Sequence, residues 1–201
     1  MKEYDYEKIL NINTSGEQQG YPRSLHYHPY QPTPYSALET LFSSYEVKST
    51  DRVVDFGCGK GRLSFFIHYY YHASVIGVEV NKIFYLEAMN NKMNYKKRNQ
   101  AGLIEFHQGL AQEYPIDPYD NRFYFFNPFS LEIFIQTIHN ILSSLEKDYR
   151  DMELILYYSS EEYMLYLDNN TPFELKREIQ LPGISKTDPY ERFLIYSLDY
   201  V

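Results

Sequence analysis

Three glycines at alternate positions, Gly57, Gly59 and Gly61, fall between an apolar run and an amphipathic stretch in Val53-Val-Asp-Phe-Gly-Cys-Gly-Lys-Gly-Arg62. Glycine lets a backbone turn sharply and lets a ligand approach it closely. Asp55 lies two residues before the first glycine, and Glu79 eighteen residues beyond the last. A carboxylate at Glu79 can accept two hydrogen bonds from a ribose diol. An acid at Asp55 repels a pyrophosphate and suits a ligand carrying a positive amino group. The G-x-G-x-G spacing also departs from the G-x-G-x-x-G of dinucleotide sites. Further along, Phe125-Phe126-Asn127-Pro128-Phe129-Ser130 places an amide before a proline-restricted backbone. Its side-chain and main-chain carbonyls can hold an amino group.

The surrounding pattern supplies the elements that would position these groups. Arg52 to Phe56, Ser74 to Val78, Leu103 to Phe106, Arg122 to Phe126 and Glu153 to Tyr157 read as short apolar strands. Between them, Arg62 to Tyr71, Lys82 to Lys97 and Leu131 to Leu145 read as helices. Such alternation predicts right-handed crossovers and a mostly parallel sheet covered on both faces. Phe173 to Leu181 and Arg192 to Leu198, joined through Pro182-Gly183 and a polar stretch, predict a closing antiparallel hairpin. Glu79 then ends the second strand, and Asn127 lies at the carboxyl end of the fourth, where open α/β sheets bind ligands. The first 35 residues, with Tyr21-Pro22, His28-Pro29 and Tyr30-Gln-Pro-Thr-Pro-Tyr35, read as an extended arm. Ser36, with Glu39 three residues later, reads as the capping box of a following short helix. The chain is expected to be an arm over 1–35 and one domain over 36–201.

The 201 residues are 44% hydrophobic and 23% charged, as expected of a globular chain. A formal net charge of −8 disfavours an extended phosphate-binding face. With the single cysteine Cys58, no basic-then-apolar leader and no apolar stretch long enough for a bilayer, a soluble cytoplasmic protein is expected.

The glycine turn with Asp55 and Glu79 resembles the class I S-adenosylmethionine-dependent methyltransferases. Asp55, Gly57, Gly59 and Gly61 stand where that family's first motif has its residues, and Glu79 where its ribose-binding acid ends the second strand. The resemblance spans roughly Asp51 to Val201 and implies an α/β Rossmann-like fold with strand order 3-2-1-4-5-7-6. It implies S-adenosyl-L-methionine as cofactor, held by the segment Asp55-Phe56-Gly57-Cys58-Gly59 with Gly61 and Glu79, with Asn127 near its reactive methyl. Where the family often has G-D-A, this chain has Gly109-Leu110-Ala111, so the adenine contact falls to Ala111 backbone, Gln112 or Glu113. Asn127-Pro128-Phe129-Ser130 is similar to the N-P-P-Y motif of methyltransferases acting on amino nitrogens. Asn127 and Pro128 then orient the acceptor and Phe129 stacks on it. The arm over 1–35 is implied as a lid, because its segment Tyr30 to Tyr35 precedes the first helix as does the element of that family that closes over the cofactor, with Pro34 and Tyr35 as lid or substrate residues. The acceptor itself and the oligomeric state are left open.

Blander readings stand beside these. Asn127-Pro128 could simply cap the helix from Ser130. The arm could be packed surface, and His26-Tyr27-His28 is too few ligands for a convincing metal site, so no metal is expected. Lys92, Lys96, Lys97 and Arg98 read as a solvated helix end. Cys58 is too confined for a nucleophile. A nicotinamide-dependent oxidoreductase is the second enzyme reading, and a non-catalytic cofactor-binding module that regulates a partner is the third.

Overall fold

The computed structural model describes residues 2–16, 26–96, 104–183 and 188–198. The Leu103, Lys97 and Arg98 positions and the Tyr21-Pro22 dipeptide lie outside them. The strands are β1 (Arg52–Phe56), β2 (Ser74–Glu79), β3 (Ile104–Gln108), β4 (Arg122–Phe125), β5 (Met152–Tyr157), β6 (Glu174–Gln180) and β7 (Arg192–Leu198). They form one sheet in the order β3-β2-β1-β4-β5-β7-β6. Only the β5–β7 and β6–β7 pairs are antiparallel, so the fold is the seven-stranded, Rossmann-like α/β arrangement. Every residue of β5 is buried, as expected of a central strand covered on both faces. Edge strand β6 instead exposes Glu174, Lys176, Arg177 and Glu178, charges that keep a sheet edge from pairing with other chains.

The helices are α1 (Glu3–Leu10), α2 (Tyr35–Ser44), α3 (Arg62–Tyr71), α4 (Lys82–Asn94), α5 (Leu131–Leu145) and α6 (Glu161–Asn170). One face of the sheet packs α1, α2 and α3 through residues such as Leu10, Leu38, Leu41 and Phe66. The other packs α5 and α6, with Ile133, Phe134, Ile138, Ile141, Tyr163 and Leu167 buried. Each such side chain contributes roughly 1.5–3 kcal/mol on burial. No helix among the described residues is long and apolar enough to cross a membrane.

Two features differ from the sequence expectation. The first 35 residues are not extended throughout, because Glu3–Leu10 is helical and buries Tyr6 and Leu10. The helix after the arm begins at Tyr35 with Pro34, not Ser36, at its N-cap. The reason is tertiary: Glu3 Oε1 accepts the Tyr35 N–H at 2.7 Å, and Glu39 takes the Tyr6 hydroxyl instead of closing a capping box.

Both ends of this contact meet at Arg62, the first residue of α3, which is 5% exposed. Its guanidinium donates to Glu3 Oε2 (2.6 Å), Glu7 Oε1 (3.4 Å), Thr14 Oγ1 (2.8 Å) and the Thr33 carbonyl (3.1 Å). It also lies 4.4 Å from the centre of the Tyr35 ring, which stacks on Tyr6 at 4.4 Å. Removing one side of a buried ion pair strands the other, at a cost of about 3–5 kcal/mol. Arg62→Ala is therefore expected to lower unfolding free energy in urea by about that much, and to raise amide exchange over residues 3–14 well above that of the β5 core.

Candidate functional site

The crevice opens at the carboxyl ends of β1 and β4, where the strand order reverses direction. Gly57 (φ +79°) and Gly59 (φ +53°) both adopt left-handed backbone. A Cβ on Gly57 would lie 2.7 Å from Pro128 Cβ, and one on Gly59 would lie 2.1 Å from the Tyr30 ring. The turn is thus wedged between the β4 motif on one side and the arm on the other. Gly61, also left-handed, caps α3 and leads directly into Arg62.

Glu79 braces the turn. Its Oε2 accepts the Gly59 N–H at 2.8 Å and its Oε1 accepts the Asn81 N–H at 2.7 Å. Burial raises its carboxyl pKa, and these backbone donors oppose the rise. Asp55 is treated differently. It is 4% exposed, and no hydrogen bond reaches its side chain among the described residues. Desolvation, helped by the nearby Glu79 charge, pushes its carboxyl up to about 8. Asp55 lines a cavity of about 30 Å³ together with Tyr30, Gln31, Pro32, Thr33, Tyr124 and Phe126. Asp55 is thus a buried carboxyl to which no protein group donates among the described residues.

At the tip of β4, Asn127 holds φ +38°, an unusual conformation for a residue with a side chain. Its Oδ1 is buried without a hydrogen-bond partner among the described residues. Its main-chain carbonyl, which the sequence offered to an acceptor, already receives His28 Nδ1–H at 2.5 Å. The Pro128 carbonyl likewise receives the His28 N–H at 3.0 Å. The side-chain oxygen is thus the acceptor of this motif without a protein donor.

Several expected site residues have other work. Phe129, read as the acceptor-stacking ring, is 1% exposed and packed edge-on to Phe125 at 6.1 Å, so it belongs to the core. Tyr35, read as a lid or substrate residue, is equally buried and belongs to the Arg62 anchor. Phe56 stacks on Phe125 at 5.2 Å in the α5 layer, leaving only its backbone beside the turn. The Cys58 thiol is buried and pushed well up from its ordinary pKa, mainly by desolvation. Ala111 begins a 3₁₀ turn, Ala111–Glu113, with its methyl in the core. His26 and His28 contact Ser130 and Asn127 through Nδ1. The sequence names His26-Tyr27-His28 and the segment from Tyr30 without saying what each side chain touches, and it gives no site role to Phe126, whose ring lies 4.5 Å from that of Tyr157. The Pro-rich run flags the arm without saying which of its side chains turn inward.

A parallel sheet closed by an antiparallel β7, with a glycine turn after β1 and acids ending β2 and lying in β1, defines the class I methyltransferase architecture. Residues 34–155 match the model of a methyltransferase-domain family, and the chain belongs to that family. No curated protein matches its sequence. Among solved structures, it is similar to an RNA methyltransferase of Salinibacter ruber in complex with S-adenosyl-L-homocysteine, at 20% identity and TM-score 0.58 over 83% of this chain and 92% of that one. It is also similar to the human methyltransferase 10 domain containing protein (14%, TM-score 0.59, 86% of each chain). A third is the geranyl diphosphate C-methyltransferase of Streptomyces coelicolor A3(2) (13%, TM-score 0.56, 83% of this chain and 79% of that one).

The Asp55 environment has a measurable signature. A free carboxyl titrates near 3.9, so folding lifts this one and the folded state keeps its proton until about pH 8. Its contribution is full below pH 4 and is lost as pH rises toward 8, at up to about 1.4 kcal/mol per pH unit. Asp55→Asn is expected to remove that slope. The variant should gain stability relative to the parent between pH 5 and pH 8, as read by urea unfolding at both values.

Proposed function

We propose that this methyltransferase uses S-adenosylmethionine and moves the methyl group to an amino nitrogen. The observation that carries the acceptor reading is Asn127: a left-handed residue at a strand tip whose buried amide oxygen lacks a partner. An unmatched buried acceptor costs about 1–3 kcal/mol, and strain of this kind concentrates at functional positions. An N–H of the acceptor would satisfy Oδ1 and turn the nitrogen lone pair away from it.

The chain's own groups fit the cofactor. The donor-free Asp55 carboxyl matches its amino group, and the remaining lone pairs of Glu79 match the ribose hydroxyls. The glycine turn offers backbone where a Cβ would intrude, and the Ala111 backbone lies past β3 on the adenine side. When bound, the cofactor supplies a sulfonium methyl that needs no protein nucleophile. The residues' task is then to hold the acceptor in line and keep its lone pair unprotonated. Phe126, which lines the Asp55 cavity, takes the aromatic role that Phe129 cannot fill.

Calorimetric titration with S-adenosylhomocysteine, with NAD as control, tests the cofactor. Binding of the first alone supports the reading, and binding of NAD alone reverses it toward an oxidoreductase. For the acceptor, Asn127→Ala is expected to keep S-adenosylhomocysteine affinity within about threefold. The same variant should lose at least 100-fold of labelled methyl transfer into the small-molecule, protein or RNA fraction that accepts it, a loss of about 2.7 kcal/mol or more in transition-state stabilisation. Retained transfer would remove Asn127 from the acceptor site. Tight cofactor binding with no transfer to any fraction would favour the regulatory-module reading.

A further inference from the structure

Antiparallel β7 brings the residues that precede it, Asp188 to Glu191, beside the carboxyl ends of β4 and β5, because Phe193 near its start pairs with Tyr157 at the end of β5. Aromatic rings gather there. Phe126, next after β4, lies 4.5 Å from the Tyr157 ring and 6.5 Å from that of Tyr158, at 68° to the latter. Tyr190 lies 5.8 Å from Tyr158, at 48°. Where β5 ends, Tyr158 holds φ +51°, a conformation that large side chains rarely adopt. Tyr157 is buried, whereas Phe126, Tyr158 and Tyr190 each keep part of their surface open.

Carboxylates hold the hydroxyl ends of the tyrosines. Asp188 Oδ2 accepts the Tyr158 hydroxyl at 2.8 Å, Glu161 Oε1 accepts the Tyr190 hydroxyl at 3.2 Å, and Glu191 accepts the Tyr157 hydroxyl. None of the three acids makes an ion pair among the described residues. Arg192, the cation beside them, bridges to Glu178 at 3.2 Å instead. The acids of the structural clusters differ: Glu153, for example, is neutralised by both Arg122 and Lys176. Phe126 also lines the cavity that the donor-free Asp55 lines, and the residue after it carries the unmatched Asn127 Oδ1. The rings therefore adjoin the place where Asn127 would hold an acceptor nitrogen.

The face of an aromatic ring is negative and attracts a cation within about 6 Å of its centre. Rings set at wide angles, with uncompensated carboxylates at their hydroxyls, favour a positive group over an anion or a neutral one. A phosphate would be repelled by the same acids, in line with the net charge of −8. We propose that Phe126, Tyr158 and Tyr190 form a subsite for a positive group of the acceptor, an alkylammonium or a guanidinium, set apart from the nitrogen that receives the methyl. This rests on the reading of Asn127 as the acceptor site and names the class of acceptor that site serves. It is a cationic one, a polyamine or the basic side chain of a peptide, rather than a nucleic acid.

The test is calorimetric titration of the full chain with spermidine and with a lysine-rich peptide, each with and without saturating S-adenosylhomocysteine, at about 0.15 M salt to screen long-range attraction. The controls are the same peptide acetylated on its lysines and the variants Tyr158→Leu, Tyr190→Leu and Tyr190→Phe. None of the variants changes the net charge, so general attraction of cations to an acidic protein is equal in all of them. Thermal melts confirm folding, and Tyr190 lies far enough out that its variants leave the core intact. The parent is expected to bind at least one of the two cations, and the acetylated peptide about tenfold more weakly or not at all. Each Leu variant should lose about fivefold or more in affinity, within the range for a cation over an aromatic face, while Tyr190→Phe, which keeps the ring, retains most of it. Binding of spermidine alone supports a small polyamine as the source of the cation, and binding of the peptide alone supports a protein side chain. Equal binding by the parent and both Leu variants, or binding of neither cation, overturns the subsite. If S-adenosylhomocysteine still binds in those samples, the subsite falls alone and the cofactor reading stands. Cation binding without S-adenosylhomocysteine binding overturns the cofactor reading and leaves the subsite.

Discussion

A buried guanidinium holds this molecule's crevice in shape. Arg62 follows the last glycine of the turn after β1, and it draws in Glu3, Glu7, Thr14, Thr33 and Tyr35 from a stretch that is otherwise short of apolar residues. A buried guanidinium must find partners for its donors or lose several kcal/mol. The N-terminal stretch supplies them and is ordered in return. α1 therefore folds although it is far shorter than an isolated helix needs to be stable, and α2 is capped by Glu3 from another helix. The glycine turn and the arm are in consequence one structural unit, despite lying up to 59 residues apart in sequence.

The two acids beside that unit illustrate how environment separates like groups. Glu79 spends its carboxylate on backbone amides at both oxygens and so stiffens the turn. Asp55, in a similar degree of burial, has no such donors and holds its proton to about pH 8. Asn127 Oδ1, just past β4 beside β1, is also unmatched among the described residues. Elsewhere, His68 pairs with Tyr95 and Glu153 with Tyr45, while Ser64 Oγ and Gln112 Oε1 lack partners among the described residues.

The parts legible in the sequence are those decided by local rules. Alternation of short apolar runs with amphipathic stretches predicts the mostly parallel sheet, while its strand order follows from the family resemblance, and the glycine turn and Glu79 sit in the predicted register because a parallel crossover leaves little choice. The parts missed depend on contacts made across the chain. α1 shows only Tyr6 and Leu10 as inward residues and owes its place to Arg62. The cap of α2 moved from Ser36 to Pro34 because Glu3 satisfies the Tyr35 amide. α6 did carry a signal that went unread: Ser160 ahead of Glu161 and Glu162, with its side chain accepting the Tyr163 N–H. Phe129 looked like a stacking ring because it follows Asn127-Pro128. Asparagine tolerates the positive φ of Asn127 better than most residues, but its type does not say that the backbone turns there, and the bridge to Tyr27 with packing on Phe125 buries the ring.

The order of strands at the far edge bears on how the chain is made. β7 lies between β5 and β6, yet it is later in sequence than both. β6 has no neighbour but β7, so when β6 leaves the ribosome it has nothing to pair with and exposes an unpaired ladder. The sheet can grow outward from β1 through β5 during synthesis, but its last two strands dock together only after Leu198 has emerged. The charged face of β6 then serves a second purpose: it keeps a strand that must wait from finding a partner on another nascent chain.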